Sequence, residues 1–359
     1  MGAPSLGLGA GAGRLAMQFG LMLRAQYPEG DDMSARFQEL LEQARLADRL
    51  GFDSITKGMH YSSAPWQSLQ QLPFLARVMA EAPRLRLNFG LILLSLHKPL
   101  DVAEQIATVD LMSGGKVIFG VALGYRDVEF LAFGTTQKER VRRFEENLEA
   151  VRRLWTEDSV DMVASHFILK GASASPRPVQ KPHPPIWIGA NADPAIRRAA
   201  RLGDCWYVNP HNRIDTIVRQ VDVYKRALDE YGKPFPAEFP ARREVFVART
   251  RSEAIRLCAP FLSAKYKAYD EWGQGRAMPA GDNDLGVEFD ELIRDRFLIG
   301  SPDEVAEQML ALERATGINH LIMSVQWPGM PQRMALDQLH MLAEEVFPRV
   351  RAASRDTRA

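Results

Sequence analysis

After the apolar run VIFGVAL the chain turns into Gly124-Tyr125-Arg126-Asp127-Val128-Glu129, where a residue without a side chain, a phenol, a guanidinium and two carboxylates share one short loop. Such a loop offers close backbone approach, a ring for stacking and a cation for an anionic ligand. Comparable mixtures follow other apolar runs: His60, then Gly189-Ala190-Asn191-Ala192, then Asn209 and His211, and finally Gln326 and Trp327 in QWPGM. The set is rich in aromatics, amides and glycines and poor in carboxylates. It holds no His-x-His pair or carboxylate cluster to mark a metal centre and no Gly-x-Ser-x-Gly elbow. Residues of these types orient a ligand but do not transfer electrons, so an organic cofactor is expected to carry the hard chemistry, and no metal is expected. GANADPAIRRAARLG adds a glycine turn opening into a helix, whose free N–H groups suit a phosphate. The same pattern also serves as an ordinary turn and cap.

Holding these groups together requires strands that end on one side. Residues 17–23 read as a buried strand and 34–50 as a helix, with Phe37, Leu40, Leu41, Ala44 and Ala47 on one face, Ser34 as cap and Gly51 as stop. Strand and helix then repeat over 52–56 and 68–81, 86–94 and 100–112, and 116–123 and 138–155. The second half continues with 186–189 and 194–202, 205–208 and 214–231, 244–248 and 252–269, and 320–324 and 333–346. A hairpin over 160–169 and the segment PRPVQKPHPP separate the halves. Eight such units imply a parallel sheet closed into a (β/α)8 TIM barrel with insertions, and the Gly/Asp/Pro-rich stretch 271–300 is expected to be a mobile loop over one end. An open doubly wound sheet is the rival, but GLMLRAQYPEG after the first strand lacks its phosphate fingerprint. In a barrel the site lies at the carboxyl ends of the strands, so the loops above should converge.

Composition narrows the partners. Lys+Arg and Asp+Glu both number 45, so no net field favours nucleic acid or an anionic membrane over a small molecule. Cys205 and Cys258 lack the spacing of a zinc site or redox pair, and a reducing cytoplasm is the expected compartment. Gly7, Gly9 and Ala12 match a dinucleotide spacing but precede the first strand, so residues 1–16 read as a flexible leader, 17–350 as the barrel and 351–359 as a tail.

The segments GFDSITKGMHY, LSLHKPLDVAEQIATVDLMSGGKVIFGVALGYRDVEFLAFG, PVQKPHPPIWIGANADPAIRRAARLGDCWY and IGSPDEVAEQM, in one collinear order, resemble the bacterial luciferase-like, flavin-dependent monooxygenase superfamily. The resemblance implies a (β/α)8 barrel that uses reduced FMN, or the deazaflavin coenzyme, often as a homodimer. It makes His60 the catalytic histidine near the reactive edge of the flavin. Many members carry an acid just before it, where this chain has Met59, which removes a partner for His60. The register of HKPLDV puts the family's nonprolyl cis peptide at Gly90–Leu91, against the ring. Some members bind the FMN phosphate with an arginine where this chain has Leu123; Arg126 is the nearest substitute, with a surface salt bridge as its other reading. Phosphate binding then falls on Gly189, Ala190, Asn191 and Ala192, with Gly124, Tyr125 and Asn209 as further cofactor contacts and His211, Gln326 and Trp327 toward the substrate.

The function implied is oxygenation of a small organic substrate by O2 and reduced FMN supplied by a flavin reductase. The alternatives are deazaflavin-dependent hydride transfer on the same fold and a non-catalytic flavin-binding barrel.

Overall fold

The computed structural model describes residues 16–356, so the leader, apart from Ala16, and its glycine spacing lie outside the described residues. Eight strands form the barrel: β1 Gln18–Leu23, β2 Ser54–Lys57, β3 Arg86–Phe89, β4 Val117–Ala122, β5 Ile186–Ala190, β6 Cys205–Val208, β7 Pro240–Val247 and β8 His320–Ser324. Each pairs in parallel with its sequence neighbours, and the ring closes where β1 meets β8, Gln18 opposite His320. The open-sheet rival is thereby excluded.

Alternation along each strand sorts side chains into two shells. Inward-facing Met22, Ile118, Trp187, Cys205, Tyr207 and Ile322 fill the barrel. Outward-facing residues such as Phe19, Ile55, Leu87, Phe119 and Leu321 pack under the helices in one large core. The helices around the barrel include α1 Met33–Arg49, α2 Gln71–Glu81, α3 Pro99–Ser113, α4 Asp127–Ala132, α5 Arg140–Thr156, α6 Asp193–Leu202, α7 Ile214–Glu230, α8 Arg251–Glu271, α9 Pro302–Thr316 and α10 Gln332–Met341, with a short helix at Phe289–Leu292 and a last one at Phe347–Asp356. None of the described helices is long and apolar enough to cross a membrane.

The amino end of the barrel is plugged by polar groups. Ser54 Oγ lies 2.7 Å from His320 Nε2, and His320 Nδ1 lies 2.7 Å from Glu238 Oε1, which also pairs with Arg86. The order of contacts is that of a nucleophilic triad, but Ser54 and His320 have no exposed surface, and a Cβ on Gly20 would stand 2.4 Å from Ser54 Oγ. With no room for a substrate, this is a packed structural network.

Several local expectations change. Asp32 caps α1 by accepting from Ser34 N and Ala35 N, so Ser34 is the acceptor's partner and not the cap. α9 has a full capping box between Ser301 and Glu304, with Pro302 in its first turn and Gly317 at φ 87° ending it, in a stretch that the strand–helix count passed over. β3 is shorter than the run 86–94: it stops at a cis peptide between Gly90 and Leu91, and Ile92–Leu93 then pairs with β4. β7 begins at Pro240, four residues before its expected start, which brings Arg242 into the barrel wall. The stretch 271–300 is anchored: Leu298–Gly300 pairs with the end of β7, and Met278, Leu285, Leu292 and Ile293 join a second apolar core with Phe246 and Trp327. Residues 351–356, read as tail, continue a helix.

Candidate active site

The carboxyl ends of seven strands, together with Arg242 of β7, open onto one cavity of about 460 Å³. Every expected site residue lines it except Arg126.

On the β2–β4 side, His60 Nδ1 stands 3.1 Å from Glu129 Oε1, and the same oxygen accepts from Tyr61 N at 3.0 Å. Glu129, on α4, has no exposed surface, and its Oε2 has no hydrogen-bond partner among the described residues. A carboxylate at Nδ1 fixes the proton there and leaves Nε2 as the nitrogen a ligand can address. The acid missing at Met59 is thus replaced by one from α4. Arg126 serves this arrangement: its guanidinium donates to Tyr61 O at 2.8 Å and Ser62 O at 3.2 Å and lies 3.6 Å from Glu129, which turns it away from the cavity. The rings of Tyr125 and Trp272 stand nearly perpendicular to the imidazole of His60, with centroids 5.9 and 5.8 Å away.

Between β3 and β5, Leu91 packs over Gly189, where an added Cβ would stand 2.3 Å from Leu91 Cδ1. Gly124 adopts φ 80°, and its carbonyl accepts from Arg140 at 3.2 Å. Arg140, the first residue of α5, therefore puts a guanidinium on the cavity wall. Gly189 and Ala190 are strand residues in register with Tyr207 and Val208, whereas Asn191 and Ala192 lie beyond the strand, with Ala192 ahead of the first turn of α6 and no side chain capping that turn.

On the β6–β8 side, Asn209 Oδ1 accepts from His211 N at 2.8 Å and Asn212 N at 3.2 Å, while its Nδ2 is buried without a partner. His211 Nδ1 lies 3.3 Å from Tyr266 Oη, and burial, reinforced by Lys265, Arg242, Arg243 and Arg296, holds His211 well below its ordinary pKa and therefore neutral. Gln326 is committed to the protein: its Oε1 accepts from Gln43 at 2.9 Å and its Nε2 donates to Met330 O at 3.3 Å. Trp327 donates from Nε1 to Glu244 Oε2 at 2.5 Å, and Lys265 pairs with the other oxygen of Glu244. Burial brings Lys265 down to about 8, against the pull of Glu244.

Arg140, Arg242, Lys265 and the role of Glu129 escape a reading by motif. The signal for Lys265 is its place on the buried stripe of α8 with Ala254, Cys258, Leu262 and Tyr266, where a charge needs a reason.

The lining combines the cations Arg24, Arg140, Arg242 and Lys265, no Asp or Glu, an unpartnered amide and the apolar Met59, Leu91, Leu93 and Ala122. That donor set fits a flat, largely apolar ring bearing carbonyls and an anionic tail. Among the described residues no group of three or more His, Cys, Asp or Glu could hold a metal ion.

Known proteins carry the same architecture. The chain is 27% identical over 333 residues to an FMNH2-dependent dimethylsulfone monooxygenase of Pseudomonas putida, covering 88% of each chain. It is 25% identical over 332 residues to an F420-dependent glucose-6-phosphate dehydrogenase of Amycolatopsis mediterranei, covering 88% of this chain and 95% of the relative. The crystal structure of monooxygenase RslO1 from Streptomyces bottropensis superposes with a TM-score of 0.79 at 26% identity, covering 92% of this chain and 99% of that one. The family description of luciferase-like monooxygenases matches residues 17–320, and with that span, this barrel and this cavity, the chain belongs to that family.

Proposed function

We propose that this protein is the oxygenase of a two-component system, using reduced FMN from a separate reductase and O2 to oxygenate a small organic substrate. The observation that carries the reading is the cavity lining itself: cationic, amide-rich, free of carboxylates and closed by apolar side chains at the strand ends. The similarity to the P. putida enzyme points the same way. The Gly90–Leu91 backbone and the Leu91 side chain would support the ring, Asn209 Nδ2 would donate to a ring carbonyl, and Arg140 with the N–H groups of Asn191 and Ala192 would hold the phosphate. Bound reduced FMN supplies the electrons that activate O2. His60 handles the proton at Nε2, oriented from behind by Glu129, and Met59, Leu93 and Tyr125 keep water out.

The F420-dependent relative favours one other reading, hydride transfer to or from a deazaflavin without O2. Oxygen uptake with photoreduced FMN and a substrate panel, read by ¹⁸O incorporation from ¹⁸O2, separates the two. Label in product, lost in His60→Ala, supports the oxygenase. Equal peroxide release from both proteins with no labelled product contradicts it.

A further inference from the structure

The cations of the cavity fall on two opposite walls. Arg140 stands alone at the end of β4. Across the ring, the residue following β1, strand β7 and helix α8 contribute Arg24, Arg242 and Lys265 to the lining. The second group has more positive charge than its counter-ions cancel. Glu244 is shared: Lys265 pairs with one oxygen and Trp327 donates to the other, while Arg242 forms a longer ion pair with it at 3.7 Å, beyond hydrogen-bond distance, so a single carboxylate serves two cations. Arg242 is instead oriented by donating from Nε to Ser324 Oγ at 2.9 Å. Arg24, 6% exposed, donates to the Trp327 carbonyl at 3.3 Å and shares Asp31 with Arg36, and its Nε has no partner among the described residues. Behind Asn209, the wholly buried Arg243 donates to the Asn209 carbonyl at 2.7 Å and leaves Nε and NH2 unpartnered. A desolvated surplus of guanidinium charge facing a cavity is costly unless a ligand completes it, and guanidinium forks match oxoanions in shape.

We infer that the substrate carries an oxoanion, such as a carboxylate, sulfonate or phosphate monoester, and that Arg242 holds it with Lys265 and Arg24 alongside. The inference deepens the flavin reading and rests on it in giving the Arg140 wall to the cofactor's own tail. The neutral His211 and the Tyr269 phenol would then face the part of the substrate next to the anion. A purely neutral substrate would leave the surplus unanswered.

The test is calorimetric titration of hexanesulfonate, hexanoate and hexanamide into the protein, alone and saturated with FMN, with FMN affinity measured separately. At least one of the two anions is expected to bind the FMN-saturated protein at least tenfold more tightly than the amide. Arg242→Gln should erase that preference while changing FMN affinity less than threefold, and Arg140→Gln should weaken FMN and keep the preference. Equal binding of amide and anions by the wild type, which needs no variant to fold, overturns the inference. So does anion binding only to the FMN-free protein together with loss of FMN binding in Arg242→Gln, since the cluster would then hold the cofactor's phosphate. If FMN fails to bind at all but the anion preference and its dependence on Arg242 persist, the oxoanion site stands and the flavin reading falls.

Discussion

His60 Nδ1 and Glu129 Oε1 are 3.1 Å apart, although His60 lies in the loop after β2 and Glu129 on α4, 69 positions away in the chain. On the proposed oxygenase reading, the contact would make Glu129 a positioning residue acting through the imidazole. His60→Ala is expected to lower turnover by about 10²–10⁴-fold, and Glu129→Gln by roughly tenfold, with FMN affinity preserved in both. The double variant should lose no more than His60→Ala alone. Steady-state oxygenation rates with a flavin titration check this, and fully additive losses would separate Glu129 from the histidine.

Gly189 leaves room for Leu91, whose Cδ1 would lie 2.3 Å from an added Cβ. Gly189→Val must push Leu91 into the cavity. FMN affinity should fall on the order of tenfold or more while the barrel still melts cooperatively, measured by flavin fluorescence quenching and calorimetry.

Lys57 is fully buried at the end of β2, with only the Gly58 carbonyl at 2.9 Å as hydrogen-bond partner among the described residues, and burial lowers it from 10.5 to about 7. The unfolded chain binds a proton at this residue that the native state resists, so the cost is complete below pH 7 and vanishes as pH rises to 10.5. Lys57→Met should therefore stabilise the protein by on the order of 1–4 kcal/mol at pH 7 and by little near pH 10.5, read from urea unfolding at the two values.

Glu238 behaves in the opposite sense. Burial opposes its charge, but the hydrogen bonds from His320 and Arg86 prevail and hold it at about 2, down from 4.5. Its contribution is present above pH 4.5 and is lost as pH falls toward 2. Glu238→Gln should cost about 3 kcal/mol at pH 7 and converge with the wild type near pH 2 in denaturant melts.

The barrel was legible because each strand carried its own apolar run and each helix its own stripe, both local signals. β7 was cut short because ARR looks like a solvated charge run, and only pairing with β8 reveals that Arg242 and Arg243 lie within a strand. The capping box of α9 was a local signal overlooked in IGSPDEVAEQM. The site was legible by position, since strand ends converge in any such barrel, but side-chain direction was not. Arg126 turns toward the Tyr61 and Ser62 carbonyls while Arg140, on the next helix, reaches the cavity, a choice made by Glu129 and by the left-handed turn at Gly124. The partner for His60 was sought in the adjacent residue because sequence proximity is all a sequence displays.

On the proposed reading, this cavity binds a flavin with its phosphate on the Arg140 wall. Anaerobic titration of wild type and Arg140→Gln with reduced FMN, FMN, riboflavin and reduced F420 tests it most directly. Saturable, stoichiometric binding of reduced FMN is expected, weakened about tenfold or more both by removing the phosphate and by Arg140→Gln, the two losses not adding. Binding of F420 with no binding of either FMN form, or flavin binding indifferent to both phosphate and Arg140, would contradict it.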